Sequence, residues 1–198
     1  YETRISPAWT RFYSLAAFLD PPRRAGLDYN VMYLPRVPRG RLLEVGCGSG
    51  WMLKQLRERG WEVEGLDFDR RAVDQARKEG LAARHGSLPE VRYAAGRFDA
   101  IVVSHVIEHV HDPVGLLAEC RRILRNGGRL VLITPNASSL GQRLFGSHLR
   151  GLEPPRHLHV FSPAALQSLA GKIGWKSLSV RTPIRDADKY FESSLSIR

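Results

Sequence analysis

With 198 residues, 43% of them apolar and 25% charged, the chain has the length and balance of one globular domain with a sizeable core, which excludes fibrous and disordered classes. Its net charge of +10 comes from arginines scattered through the sequence (Arg23-Arg24, Arg36, Arg39, Arg41, Arg70-Arg71, Arg121-Arg122), not from a basic run interleaved with aromatics; a nucleic-acid partner is therefore not expected, whereas contact with an anionic membrane surface is compatible with the charge. Two distant cysteines, Cys47 and Cys120, exclude a disulfide framework and a cysteine metal centre, and with no signal peptide or membrane-length apolar run a cytoplasmic location is expected.

Residues 3 to 34 open the chain with Trp9, Phe12, Tyr13, Ala16, Ala17 and Leu19 at largely helical spacing, before Pro21-Pro22 stops the run. A second short helix is expected from Ala25 to Leu34 and a linker from Pro35 to Gly40, so that residues 1 to 40 form a helical cap over a sheet edge or over a ligand site. The first residue is Tyr1 and the last stretch is polar, as in a piece of a longer polypeptide, and no pattern specifies an oligomeric state.

The next stretch, Leu42-Leu43-Glu44-Val45-Gly46-Cys47-Gly48-Ser49-Gly50, reads as a buried strand turning sharply into the helix Trp51 to Arg59. Glycines at 46, 48 and 50 let a ligand approach the backbone, and the helix start offers free N–H donors. The spacing is G-x-G-x-G, not the G-x-G-x-x-G of dinucleotide folds, and Glu44 puts a carboxylate just before the turn. That carboxylate repels a pyrophosphate and attracts the ammonium of an amino-acid-like ligand, which favours S-adenosylmethionine over NAD. Cys47 is a small filler of the turn, since no base is paired with it to make it a nucleophile.

The run Glu44 to Gly50 resembles motif I of the class I S-adenosylmethionine-dependent methyltransferases, in particular the small-molecule branch that includes the ubiquinone-biosynthesis O-methyltransferases. The similarity extends over about Arg41 to Arg181. It implies an α/β fold, a doubly wound and mostly parallel Rossmann-like sheet, in a single domain whose cofactor-binding core is 41–182. On this reading Gly46, Cys47, Gly48 and Gly50 line the cofactor, and Glu44 takes its ammonium.

Glu62 to Asp67 is the second strand and Arg70 to Glu79 its helix. A carboxylate closing that strand can accept both hydroxyls of a ribose, so Asp67 is given to the ribose, Asp69 to the helix N-cap, and Phe68 to the flank of the adenine. A third strand, Leu81 to Arg84, leads to His85-Gly86-Ser87-Leu88-Pro89. Similar enzymes carry an acidic residue after such a glycine to receive the adenine amine; here the place belongs to Ser87, which, or the backbone of Leu88, is the expected adenine contact.

Phe98 to Ser104 is an apolar fourth strand of the kind buried on both faces of a parallel sheet. It emerges at Ser104-His105-Val106-Ile107-Glu108-His109-Val110-His111-Asp112-Pro113, which resembles the Glu-His-Val-x-Asp-Pro region of the same branch; the resemblance puts Ser104 and His105 beside the methionine part of the cofactor. His105, Glu108 and His109 also fall at i, i+3 and i+4 of a helical turn, on one face. Such a trio is weak evidence for a cation, and the resemblance already accounts for the Glu-His pair, so no metal is expected. A helix capped by Asp112 follows, with Leu116, Leu117, Cys120, Ile123 and Leu124 as its buried stripe, ended by Asn126-Gly127-Gly128. The fifth strand, Arg129 to Thr134, stops at Pro135-Asn136.

Residues 137 to 161 form a long excursion, expected to line or lid the acceptor pocket, with a short helix from Ser138 to Gly146. In extended chain His157 and His159 would face the same side. Ser162-Pro163 starts a helix toward Lys172, and Trp175 to Arg181 reads as a sixth strand. The tail 183–198 is short and polar for the antiparallel seventh strand of the full fold.

The expected reaction is methyl transfer from S-adenosylmethionine to a small-molecule acceptor, most plausibly at a hydroxyl oxygen, leaving S-adenosylhomocysteine. Histidine suits the removal of the hydroxyl proton, and His109 is placed first, with His157 and His159 as alternatives. A non-catalytic S-adenosylmethionine-binding domain and an NAD(P)-dependent oxidoreductase are the competing readings.

Overall fold

The computed structural model describes residues 32–34, 40–146, 149 and 155–182. Five parallel strands, β1 Arg41–Val45, β2 Glu62–Asp67, β3 Ala83–His85, β4 Phe98–Ser104 and β5 Leu124–Ile133, lie in the order β3-β2-β1-β4-β5. The order reverses between β1 and β4, which opens a crevice at their C-terminal ends, the place where open α/β sheets bind ligands. Parallel strands of this kind are covered on both faces, and the side chains divide accordingly. Leu42, Val63, Ala83, Ala100 and Val102 pack on one face with Leu53 and Leu56 of α1 (Trp51–Glu58) and Val73 and Ala76 of α2 (Arg70–Lys78). Leu43, Val45, Leu66, Ile101 and Val103 pack on the other, with Leu88 of α3 (Leu88–Val91) and Cys120 and Ile123 of α4 (Pro113–Ile123). Each fully buried leucine or isoleucine here contributes about 1.5–3 kcal/mol of transfer free energy.

The helix starts follow the sequence. Asp69 accepts from the backbone N–H groups of Arg71 and Ala72, and Asp112 from Gly115 at 2.8 Å. After β5 come α5 (Leu140–Phe145) and α6 (Pro163–Lys172), whose start is capped by Ser162 through the N–H of Ala165.

Three expected boundaries shift. α4 ends at Ile123 because Leu124 is already extended and paired with Phe98, so β5 begins there. Asn126-Gly127-Gly128 is then a bulge inside β5, between the pairs Phe98–Leu124 and Ala100–Arg129, and not the helix stop expected from its glycines. β3 is displaced to Ala83–His85. Residues 175–182, the expected sixth strand, join no ladder among the described residues. The expected helices of the 1–40 cap lie outside the described residues except for 32–34, where Met32 and Leu34 are buried; the tail 183–198 lies outside them entirely.

Candidate active site

The C-terminal ends of β1, β2, β4 and β5 bring the candidate residues together. On β1, Glu44 is buried at 4% exposure, and its Oε2 has no hydrogen-bond partner among the described residues. Burial, reinforced by the neighbouring Asp67 carboxylate, pushes its carboxyl up to about 8. The chain then turns through Gly46 and Gly48, both at positive φ; a Cβ at Gly46 would run into the Val106 side chain, whereas one at Gly48 would meet open space within 4 Å. Gly46 is thus a packing requirement, and Gly48 leaves room for something else.

Asp67, at the end of β2, holds that turn in place. Its Oδ2 accepts the N–H of Gly48 and its Oδ1 that of Asp69, each at 2.8 Å. Phe68 beside it is 83% exposed, an exposed aromatic face next to a carboxylate. Cys47 is buried, and its thiol is pushed up to about 12 by burial and by Glu44 and Asp67, which removes it as a nucleophile.

After the neighbouring β3, Gly86 donates to the Asp67 carbonyl at 2.9 Å and brings Ser87 beside the same strand end. The Ser87 hydroxyl donates to Glu90 Oε2 at 2.8 Å, and its N–H to the same oxygen at 2.7 Å. Glu90 went unnoticed in the sequence, although Ser87-Leu88-Pro89-Glu90 has capping-box spacing. Leu88 turns its side chain into the core, which leaves its backbone as the part able to meet a ligand.

Beyond β4 the chain does not make the regular helical turn that would align His105, Glu108 and His109. Ser104 pairs with Ile133, and His105 takes a left-handed backbone, φ +54°, while its N–H bonds the Ile133 carbonyl at 2.9 Å. A 3₁₀ turn follows over Ile107–His109. This turn swings Glu108 into the interior, 0% exposed, where Oε1 accepts His105 Nδ1 at 3.2 Å and Oε2 accepts the Thr134 hydroxyl at 3.0 Å. Burial alone would raise the Glu108 carboxyl; the bonds from His105, its own backbone and Thr134 outweigh it and hold the group below the usual carboxylate range.

The same turn captures the far end of the excursion. The Glu108 carbonyl accepts the N–H groups of Leu158 and His159 at 2.8 and 3.1 Å, and His109 Nδ1 donates to the Arg156 carbonyl at 2.9 Å. Asn136 and Phe161 form an isolated bridge, with Ala137 N–H bonded to the Phe161 carbonyl, so the two ends of 137–161 meet. A turn at 155–156 and a bend at 158 interrupt the extended run expected for the two histidines. The His157 ring lies 4.7 Å from that of His109, and the His159 ring 5.7 Å from that of Phe161. Glu108, His109 and His157 each bring a donor atom to within 4.8 Å of the other two, while both Glu108 oxygens are already engaged by His105 and Thr134.

Comparison with known proteins places this architecture. A family model described as a methyltransferase domain matches residues 13–180. A ubiquinone biosynthesis O-methyltransferase of Alkalilimnicola ehrlichii is 33% identical over 117 residues, 56% of this chain and 47% of that protein; the chain spans about half the length of the curated relatives it matches. Among solved structures, a SAM-dependent methyltransferase of Thermotoga maritima, described as a possible histamine N-methyltransferase, superposes with a TM-score of 0.64 at 25% identity, covering 86% of this chain and 79% of that one. Phosphoethanolamine N-methyltransferase 2 of Haemonchus contortus, solved with S-adenosyl-L-methionine, superposes with a TM-score of 0.67 at 15% identity over 86% of this chain and 41% of its own, a likeness of fold.

Proposed function

Since the chain belongs to the methyltransferase domain family, we propose that it transfers a methyl group from S-adenosylmethionine to a hydroxyl oxygen of a small molecule. One observation carries the cofactor: the buried Glu44 oxygen without a partner, next to a glycine whose missing Cβ faces open space. A buried carboxyl pushed up to about 8 is an acid kept waiting for a cation, and the ammonium of a methionine moiety supplies one. A dinucleotide pyrophosphate offers the wrong charge. On this reading Asp67 takes the ribose hydroxyls on its remaining lone pairs, Phe68 flanks the adenine, and Ser87 or the Leu88 backbone meets the adenine edge. Gly46, Cys47, Gly48 and Gly50 give the backbone surface, and Ser104 and His105 lie toward the methionine end.

S-adenosylmethionine brings the methyl already activated on a sulfonium. The protein's tasks are then to bind, to orient and to exclude water, and holding two reactants in line is worth several powers of ten in rate. A hydroxyl acceptor must lose its proton as it reacts, and the histidines gathered around Glu108 are the groups suited to receive it. The excursion, fastened to the Glu108 turn by three hydrogen bonds, supplies the acceptor side of the pocket. No helix among the described residues is long and apolar enough to cross a membrane; the proposed enzyme works in the cytoplasm on a small-molecule acceptor.

Calorimetry with S-adenosylmethionine, S-adenosylhomocysteine and NAD tests the cofactor. Binding of the first two and not the third is expected, and loss of both in Glu44→Ala. Labelled methyl transfer into a cellular metabolite extract tests the reaction. Tight NAD binding without S-adenosylmethionine binding, or binding without any labelled product, would refute it.

A further inference from the structure

We propose that His105 is the residue that takes the acceptor's proton, and that the buried Glu108 is the positioning residue which fixes His105 for that task; this rests on the methyl-transfer reading above. Three independent observations converge on His105. The first is chemical. An ionised Glu108 can only accept, so His105 Nδ1, 3.2 Å from its Oε1, carries the hydrogen and Nε2 keeps its lone pair. Thr134 donates to the other carboxylate oxygen and stops it from turning away. A carboxylate behind the imidazole stabilises the imidazolium that forms when a proton arrives, as in any base-and-orienter pair.

The second is position. His105 immediately follows β4, and its neighbour Val106 fills the space beside Gly46 just after β1, so His105 stands at the crevice where the strand order reverses. Half of its side chain is exposed there. The third is the backbone. His105 is held at φ +54°, in the left-handed region that few residues besides glycine occupy and that histidine, asparagine and aspartate enter more readily than others, and backbones of this kind cluster at active sites.

His109 fits a different role. Its Nδ1 is committed to the Arg156 carbonyl, and its ring faces His157 of the excursion. That arrangement fastens 155–161 against the active-site turn, and a neutral carbonyl gives an incoming proton less support than a buried carboxylate does. In the step itself the acceptor O–H bond breaks and an N–H bond forms at His105 Nε2; the electron pair left on oxygen forms the new C–O bond as the sulfonium C–S bond breaks, its pair returning to sulfur so that S-adenosylhomocysteine leaves. Glu108 remains ionised throughout, and the proton leaves from the exposed imidazolium to solvent.

The test has two arms on the full chain. Long-range ¹H–¹⁵N correlation spectra of ¹⁵N-histidine-labelled protein, without ligand, report the tautomer. His105 is expected as the Nδ1–H form in the wild type and in Glu108→Gln, whose amide oxygen can still accept, and is expected to lose that lock in Glu108→Met. A wild-type His105 protonated on Nε2 overturns the proposal even if the variants do not fold. The second arm compares His105→Asn, chosen because asparagine tolerates the left-handed backbone, with His109→Asn. His105→Asn should lower labelled methyl transfer into the metabolite extract about 100-fold or more, well beyond any weakening of S-adenosylhomocysteine binding; His109→Asn should lower transfer by less. Equal losses, or a fully active His105→Asn, overturn the assignment. A wild type that transfers no label refutes the reaction itself, and the tautomer spectra then still decide whether the pair exists.

Discussion

Glu44 gives the most quantitative test of how this site is built. Its carboxyl titrates at 4.5 in a freely hydrated chain and at about 8 in the fold, because burial and the Asp67 charge disfavour the anion. The folded state therefore binds this proton more tightly than the unfolded state. Below pH 4.5 the group is neutral in both and costs nothing; stability falls as pH rises toward 8 and is level above it. At about 1.36 kcal/mol per unit the whole interval is worth about 5 kcal/mol, and the part between pH 5.5 and 8 about 3 kcal/mol. Glu44→Gln removes this dependence, since an amide does not titrate. The new amide leaves its own polar atoms to be satisfied, at about 1–3 kcal/mol, but by the same amount at every pH. Urea unfolding of ligand-free wild type and Glu44→Gln at pH 5.5 and pH 8 isolates the effect, because every other titrating group is common to both proteins. Wild type should lose about 3 kcal/mol more than the variant over that range. S-adenosylmethionine should flatten the wild-type loss by pairing the anion, and leave the variant unchanged. Parallel pH profiles for the two ligand-free proteins would show that Glu44 is solvated or already paired, and the argument from an unpartnered buried acid would fall with it.

Asp67→Ala removes the acceptors of Gly48 and Asp69, and should weaken S-adenosylhomocysteine binding by about 10- to 100-fold in calorimetry, the range of one or two charge-assisted hydrogen bonds; it should also lessen the pH dependence assigned to Glu44, whose carboxyl Asp67 helps to raise. Glu64 on β2 accepts from Arg84, Arg97 and the Tyr93 hydroxyl at 2.7, 3.0 and 2.9 Å. Glu64→Ala should cost about 2–3 kcal/mol at pH 7 in urea unfolding without changing cofactor affinity. Burial opposes ionisation of Glu64, but the bonds from Arg97, Tyr93 and Arg84 outweigh it and lower its carboxyl; the cost should therefore shrink as pH falls below 4.5, when the carboxyl protonates.

What could be read from the sequence was whatever depends on neighbours along the chain. The strand-to-helix turn at Glu44–Gly50, Asp67 closing β2 and the caps at Asp69, Asp112 and Ser162 each follow from residues a few positions apart, and the structure keeps all of them. The run 126–128 misleads for the same reason: two glycines after an apolar helix look like a stop, and only pairing with β4 turns them into a bulge within β5. Ser87 was assigned without its partner Glu90, although the spacing that joins them is local and legible. The bend at 158, between His157 and His159, had no signal in the sequence, because an isolated segment carries no record of what will bend it.

Glu108 marks where local reading ends. In the sequence it is one acid between two histidines, and helical spacing would group it with both as an exposed trio. Its burial depends on contacts that span the chain: Thr134 at the end of β5 claims one oxygen, and the backbone of Leu158 and His159 claims its carbonyl. A buried carboxylate is tolerated only when its lone pairs are filled, so these contacts form together or the turn does not form as seen. The left-handed His105 is part of the same compromise, since it lets the chain leave β4 while its imidazole closes the bond to Glu108. One residue thereby couples the end of β4 and the end of β5 through its carboxylate and the close of the excursion through its carbonyl.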